Sequence, residues 1–391
     1  MTTRFEQTAS LVLIASLGIV TFNLLAAQVL FGIAALMWLR LILTDRAATP
    51  LPAFVWPLAG YVLLTIVSAA LAFNRHRATN WDAAVSSLVD LKQLVLFLMV
   101  PVAMRLARGT RAMTALNVII ATGAAAALLG VVEYAMFGYD SLQNRPVGSL
   151  SHYMTYSGVI MIVLCAAVAR LLFHGEQVLW PAVAIPALAV ALGATQTRGV
   201  WIGALVGLGC LLAVRRLRLL AIVPVLLVVA FIVAPGAIRE RAYSIVDVQD
   251  ESNRDRIQMI AMGADMVRDH PWFGVGPEMV GVVYGRYLRP NPVHTYNPHL
   301  HNVPMQIAAE RGLPALAAWL VFVGLAAAGL VVQIRRGPAR PLAAAALAAI
   351  AAMCAAGLFE YNFGDSEFLM LFLGLITLPY AARLGADEAV R

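Results

Sequence analysis

The sequence predicts an all-α polytopic membrane protein with about twelve transmembrane helices and one large helical loop outside the bilayer. Three observations carry that prediction. The 391 residues are 61% hydrophobic and 13% charged, with a mean hydropathy of +0.81, whereas an ordinary globular domain is about 25% charged. The apolar residues fall into runs of spanning length, for which about 20 residues suffice, and none shows the alternation of a barrel strand. One stretch, 239–312, is polar for 74 positions. This balance excludes a soluble enzyme, a disordered chain and a nucleic-acid-binding domain. The net charge of +7 is assigned to membrane topology, so no nucleic acid is expected as a partner.

The runs follow in order. The first, from about Ala9 to Leu24, has only Arg4 as a basic flank, offset by Glu6, and no clean small-x-small cleavage site. With the second run, Leu25 to Leu43, it reads as a retained helical hairpin rather than a secretory signal. Further runs lie near 52–73, 86–106, 112–137, 153–173, 177–195, 199–214, 217–238, 313–334, 339–359 and 366–384. The chain therefore divides into 1–238 with helices 1–9, the loop 239–312, and 313–391 with helices 10–12 and a cytoplasmic tail. Cys165, Cys210 and Cys354 all lie in apolar runs, with no disulfide or metal-type spacing.

Arginine sets the orientation, because cytoplasmic loops carry the excess of positive charge. With the N-terminus in the cytoplasm, the inner turns carry Arg40, Arg46, Arg105, Arg108, Arg111, Arg170, Arg215, Arg216, Arg218, Arg335, Arg336 and Arg340. The short opposite turns carry only Arg75, Arg77, Arg145 and Arg198. The sole lysine, Lys92, lies within a span with Asp90; Glu133 is a further intramembrane charge. Both termini are expected inside and the 239–312 loop outside.

A loop longer than about 15 residues usually carries function or disorder. Here Ile257, Met259, Ile260, Met262, Met266 and Val267 recur at helical spacing, and Trp272, Phe273, Tyr284, Tyr287 and Tyr296 add aromatic surface. A helical, membrane-apposed segment is expected. It holds four of the seven histidines (His270, His294, His299 and His301), together with eight arginines and nine acids. A solvated surface laced with weak ion pairs is the plain reading of any one of those charges.

Arg198 stands apart, in Thr195-Gln196-Thr197-Arg198-Gly199-Val200-Trp201 at the outer mouth of a span. It either snorkels beside Trp201 as an interfacial anchor or marks a ligand pathway. Its place at a helix N-terminus adds the helix dipole to the guanidinium, a combination suited to phosphate.

Asp269-His270-Pro271-Trp272-Phe273-Gly274-Val275-Gly276 resembles the DHPxFGxG turn of the O-antigen ligase and polymerase superfamily. His299-Leu300-His301-Asn302, followed by Glu310-Arg311-Gly312-Leu313-Pro314, is similar to that family's His-Asn stretch and its E-x-G-L-x-G motif; Ala315 departs from the final glycine. Thr197-Arg198-Gly199 resembles its Ser/Thr-Arg-Gly. The order of these motifs and the layout of spans extend the resemblance across the chain.

The resemblance implies an O-antigen ligase, a glycosyltransferase of the membrane-embedded GT-C type that needs no metal and no cofactor. Such an enzyme sits in the bacterial inner membrane and works at the periplasmic face. It takes a glycan from undecaprenyl diphosphate and joins it to lipid A-core. The family's functional positions fall on Arg198, Arg256 and His301, with Arg254 as the alternative to Arg256 and with His299 and Asn302 as further candidates. His270 and His294 are expected to be surface or packing residues.

Chemistry supports these types. Arginines can hold a diphosphate leaving group bidentately at any working pH and meet its developing charge. Histidine is suited to take the acceptor hydroxyl's proton near neutrality. Asp365 and Glu367, the nearest approach to an Asp-x-Asp pair, read as a helix-connecting turn rather than a metal site. Two other functions remain. A polysaccharide polymerase would share donor and fold, but the next outer loop, 138–152, is short. A lipid-glycan transporter would place its charges at mid-membrane.

Overall fold

The computed structural model describes residues 2–45, 49–173, 179–337 and 339–389, and among these it contains helices and no strand. Arg46, one of the arginines counted for orientation, lies outside the described residues. The first half comprises α1 (Thr2–Ile19), α2 (Leu24–Thr44), α3 (Val55–His76), α4 (Trp81–Val89), α5 (Met99–Leu106), α6 (Thr110–Met136) and α7 (Tyr153–Phe173). A 3₁₀ stretch, Asp90–Leu98, joins α4 to α5 into one rod. Then come α8 (Trp180–Ala194), α9 (Arg198–Arg215) and α10 (Ile222–Val233). The polar segment folds as α11 (Gly236–Tyr243), α12 (Glu251–Asp269), α13 (Met279–Val283) and α14 (Val303–Arg311). The chain closes with α15 (Leu313–Arg336), α16 (Arg340–Ala356) and α17 (Ser366–Ala389).

Among the described residues, helix therefore falls in each of the twelve apolar runs. Among the described residues, eight helical segments are long and apolar enough to cross a membrane, and three apolar ones are shorter: Trp180–Ala194, Leu217–Val233 and Arg340–Ala356. The chain is a multi-pass membrane protein by these eight segments.

Small residues set the packing that matters for function. Gly199, Gly203 and Gly207 recur at every fourth position on α9, which places them in one stripe. A Cβ at Gly203 would meet the Ala352 carbonyl at 2.8 Å, one at Gly207 the Ala348 carbonyl at 3.0 Å, and one at Gly199 the Phe359 Cβ at 2.8 Å. The alanine-rich α16 thus lies directly on α9. Close approach of this kind is how helices associate where lipid removes the hydrophobic drive. The first turn of α9 is brought against the turn that follows α16.

The polar segment has its own small core. Met259, Met262 and Met266 of α12 are buried with Val275, Met279, Val280, Val283, Tyr284, Leu300 and Ala309, against Ala72 of α3 and Ala83 of α4. Ile257 and Ile260, counted with the same stripe in the sequence, are 59% and 38% exposed; the methionines at i, i+3 and i+7 define the inward face instead. The Asp269–Gly276 turn and the Glu310–Leu313 turn clamp each other. Val275 and Gly276 donate backbone bonds to Ala309 and Glu310 at 2.8 and 2.9 Å, and Leu313 donates to Pro271 at 2.8 Å. Gly274 (φ 65°) and Gly312 (φ 84°) lie in the left-handed region, and a Cβ on either would meet backbone at 2.2 Å, so only glycine fits. Ser68 of α3 reaches the Phe273 and Glu310 carbonyls at 2.7 and 2.8 Å, fixing the clamp to the bundle.

Both acids within the spans have structural partners. Asp90 pairs with Arg311 at 3.1 Å, and Glu133 accepts the Val147 and Gly148 amides at 2.9 and 2.8 Å. Lys92 is exposed.

Candidate active site

One cavity of about 390 Å³ opens at the end of the bundle where α9 begins. Arg145, Tyr153, Arg198, Arg241, Asp250, Arg256, His301 and Glu360 are among the residues that line it. They come from five separate parts of the chain, so the fold itself assembles the site.

Arg198 is the first residue of α9 and only 5% exposed. Gln196, two residues earlier, has φ 52°, a strained conformation for a non-glycine residue, and it turns the chain sharply into the helix. One guanidinium nitrogen donates to the Ser244 carbonyl and hydroxyl at 2.5 and 2.8 Å, and the other pairs with Asp250 Oδ1 at 2.8 Å. Arg198 is therefore held inward by the loop rather than snorkelling outward. Asp250 caps α12 by accepting from the Asn253 amide at 3.1 Å, and Arg241 approaches its other oxygen at 3.7 Å. Burial opposes charge on Asp250, but the bond and charge of Arg198 outweigh it and hold the carboxyl below its usual range. Arg241 is itself pushed down to about 10, by burial first and then by Arg198.

Arg256 lies one and a half turns into α12. Its Nε donates to the Phe359 carbonyl at 2.9 Å, one terminal nitrogen to Ser252 Oγ at 2.5 Å, and the other pairs with Glu360 Oε1 at 2.8 Å. Arg254 points elsewhere: it is exposed and lines no part of the cavity. Positions two apart on a helix differ by about 200°, so α12 can offer only one of the two.

His301 stands just before the Asn302 N-cap of α14, at φ 49°. Neighbours hold this strained residue in place. Gln306 Oε1 accepts the Leu300 amide at 2.7 Å, Asn302 Nδ2 donates to the Leu358 carbonyl at 3.0 Å, and the Val303 amide donates to the Gly357 carbonyl at 2.6 Å. Asn302 thus serves the backbone and does not line the cavity. His301 Nδ1 lies 3.3 Å from Glu360 Oε2. A carboxylate can only accept, so the shared proton sits on Nδ1 and leaves Nε2 as the basic nitrogen.

Glu360 therefore bridges His301 and Arg256 through its two oxygens while being only 4% exposed. Burial alone would raise its pKa; the His301 bond and the Arg256 charge reverse that and keep it below the usual value. His299 packs against His301 with ring centroids 4.5 Å apart and planes inclined by 60°, and is pushed down to about 4, mainly by burial and then by His301. It stays neutral at ordinary pH and packs beside the site. His294 touches Asp255 at 3.0 Å and lines the outer rim.

Four lining residues were not singled out as site candidates in the sequence. Glu360 sits in a short turn with no motif around it. Asp250 and Arg241 were members of a crowd of loop charges. Arg145 lies over the Tyr153 ring at 4.2 Å, positioned because Glu133 binds the backbone of its loop. Asp365 accepts from Thr155 at 3.0 Å in the turn before α17, where burial raises it to about 7. Among the described residues, no three His, Cys, Asp or Glu side chains are grouped closely enough to hold a metal ion.

No curated protein matches the chain. A family model described as O-antigen ligase matches residues 182–320. That span contains Arg198, Arg256 and His301 as well as the Asp269–Gly276 turn and the Glu310–Leu313 turn. Residues 182–320, about a third of the chain, are similar to the O-antigen ligase family.

Proposed function

We propose that the chain is an O-antigen ligase that transfers a glycan from undecaprenyl diphosphate to lipid A-core. One observation carries the reading: Arg198, Arg256 and His301, distant in sequence, converge with Glu360 on a single cleft at one end of the helical bundle.

The residues divide the work. Arg198 and Arg256 hold the donor's diphosphate through charge-assisted bonds, with Arg256 kept at its post by Glu360. The Asp250 carboxylate pairs with Arg198, and the diphosphate takes its place there. The acceptor hydroxyl attacks the anomeric carbon. The bond from that carbon to the diphosphate oxygen breaks, and polyprenyl diphosphate leaves with its electron pair. Fixed guanidiniums meet the charge that accumulates on it. The acceptor proton passes to His301 Nε2, and the imidazolium is stabilised by Glu360 through Nδ1. Two arginines supply the positive charge at the leaving group, so the reaction proceeds without divalent metal.

The cleft faces the periplasm of a cell whose inner membrane the chain spans, with 1–238 and 313–391 as membrane regions and 239–312 as the loop between them. The arginine asymmetry supports this. A cysteine at Ser252 should react with an impermeant reagent in intact cells and one at Gly337 should not; the reverse would invert the topology. The functional test is transfer by the purified protein in detergent with chelator present. Glycan should move from the polyprenyl diphosphate donor onto lipid A-core. Extension of polyprenyl-linked glycan with no transfer to lipid A-core would make the protein a polymerase, and no transfer to either acceptor would refute the reading.

A further inference from the structure

A second cavity, of about 490 Å³, lies at the other end of α9. The helix starts at Arg198 and runs to Arg215 over 18 residues, so the two sites are about 27 Å apart along its axis at 1.5 Å per residue. Its walls are Phe173 from the end of α7, Ala213, Val214 and Arg215 from the end of α9, Val331, Ile334 and Arg335 from the end of α15, and Arg340 from the start of α16. Three arginines from three helices contribute to the lining. The rest of the lining is apolar.

Among the described residues, no acid lines the cavity. The buried arginines Arg105, Arg198 and Arg311 pair with Asp45 and Glu6, with Asp250, and with Asp90 and Glu310, whereas Arg215, Arg335 and Arg340 are exposed. Among the described residues, Arg335 and Arg340 have no ion pair or hydrogen bond, and Arg215 has only the Phe173 ring, 5.7 Å away. Orientation of the chain needs arginines on this side, but not their convergence on a hollow. A ligand suited to the hollow is an amphiphile with an anionic head, because guanidinium forks match phosphate oxygens and the apolar wall matches an acyl chain. Basic pockets between membrane helices bind lipid phosphates in this manner.

We propose that this cavity is a binding site for an anionic phospholipid, whose phosphate is held by Arg215, Arg335 and Arg340 and whose acyl chain lies along Phe173, Val331 and Ile334. The site is independent of the glycan chemistry at the opposite end. A lipid seated there would bridge α7, α9, α15 and α16, of which α7 and α9 carry Tyr153 and Arg198 into the cleft.

The experiment uses the full-length protein in detergent with added dioleoyl phosphatidylglycerol or dioleoyl phosphatidylcholine, read by native mass spectrometry and by Tm. Phosphatidylglycerol should remain bound and raise Tm, and phosphatidylcholine should do neither. Changing Arg215, Arg335 and Arg340 together to Gln should weaken retention by roughly tenfold or more, the scale of losing charge-assisted bonds. Changing Arg216, Arg218 and Arg336 to Gln removes the same charge from the same end but from outside the cavity, and should leave retention intact. Arg340→Gln alone should give a partial loss, which separates lost binding from a misfolded triple variant. Inorganic phosphate should not displace the lipid, since it fills none of the apolar wall. Equal loss in both triple variants would reduce the effect to the general surface field and overturn the site. Retention in the cavity triple, or displacement by phosphate alone, would overturn it equally.

Discussion

Replacing Glu360 by Gln tests the site at its hinge. The carboxylate does two things: Oε2 orients His301 at 3.3 Å and Oε1 holds Arg256 at 2.8 Å. Glutamine is isosteric, so packing around this 4% exposed side chain is preserved. An amide can present its NH₂ to His301 Nδ1, which moves the imidazole proton to Nε2 and removes the base. A hydrogen bond to a charged group contributes about 1.5–3 kcal/mol, and about 1.4 kcal/mol is a factor of ten. Loss of the His301 bond in the transition state therefore predicts a fall in kcat of roughly 10- to 100-fold. The second effect is small. The amide oxygen still accepts from Arg256 at the place of Oε1, so the guanidinium keeps its post and the KM for donor should stay level. The assay follows labelled glycan from donor to acceptor at saturating acceptor, with kcat and donor KM determined separately. A raised KM with unchanged kcat would refute the orienting role of Glu360 and leave it as a clamp on Arg256 alone.

Other predictions follow from the same geometry. Arg198→Ala and Arg256→Ala should each raise donor KM and lower kcat while the protein stays folded, and lysine should rescue poorly because it lacks the fork; near-normal kinetics in both would return them to structural roles. Gly274→Ala should abolish accumulation of folded protein, measured by size exclusion after membrane extraction, because its Cβ meets the Glu310 backbone at 2.2 Å; a normal yield would refute the clamp. His299→Phe should flatten the fall of Tm with acid. His299 is held neutral to about 4, below its ordinary value of 6.5, so between those pH values the unfolded chain binds more protons and wild-type stability declines as pH falls. An unchanged Tm profile in that window would show that His299 titrates freely.

Much of this was legible in the sequence, for definable reasons. Hydropathy marks a membrane helix wherever it lies, so every apolar run is helical. It does not report length well where proline or a short polar flank intervenes, as in α8 and α16. The 3.6-residue period found α12 but did not separate the inward methionines from the exposed Ile257 and Ile260. Arg198, Arg256 and His301 carry recognisable neighbours: a Thr-Arg-Gly turn, the spacing to a DHP turn, and a His-Asn pair. Glu360 has none. Its role exists only because the glycine stripe of α9 packs on α16 and delivers the turn after α16 to the mouth of α9. Long-range packing of this kind leaves no local pattern. Asp250 was hidden for another reason, since one carboxylate among nine in a polar loop looks like a solvated one until its partners are seen.

The central claim is that His301 takes a proton while Arg198 and Arg256 hold the diphosphate. It is tested most directly by measuring donor binding and turnover separately in His301→Ala. Positioned proton transfer contributes about 10²- to 10⁴-fold, so kcat should fall by that factor, while the Kd for the polyprenyl diphosphate donor changes less than about threefold, within 0.7 kcal/mol. An interaction made only in the transition state lowers kcat and kcat/KM together. Weakened donor binding with turnover intact at saturation would contradict the account and make His301 a phosphate ligand.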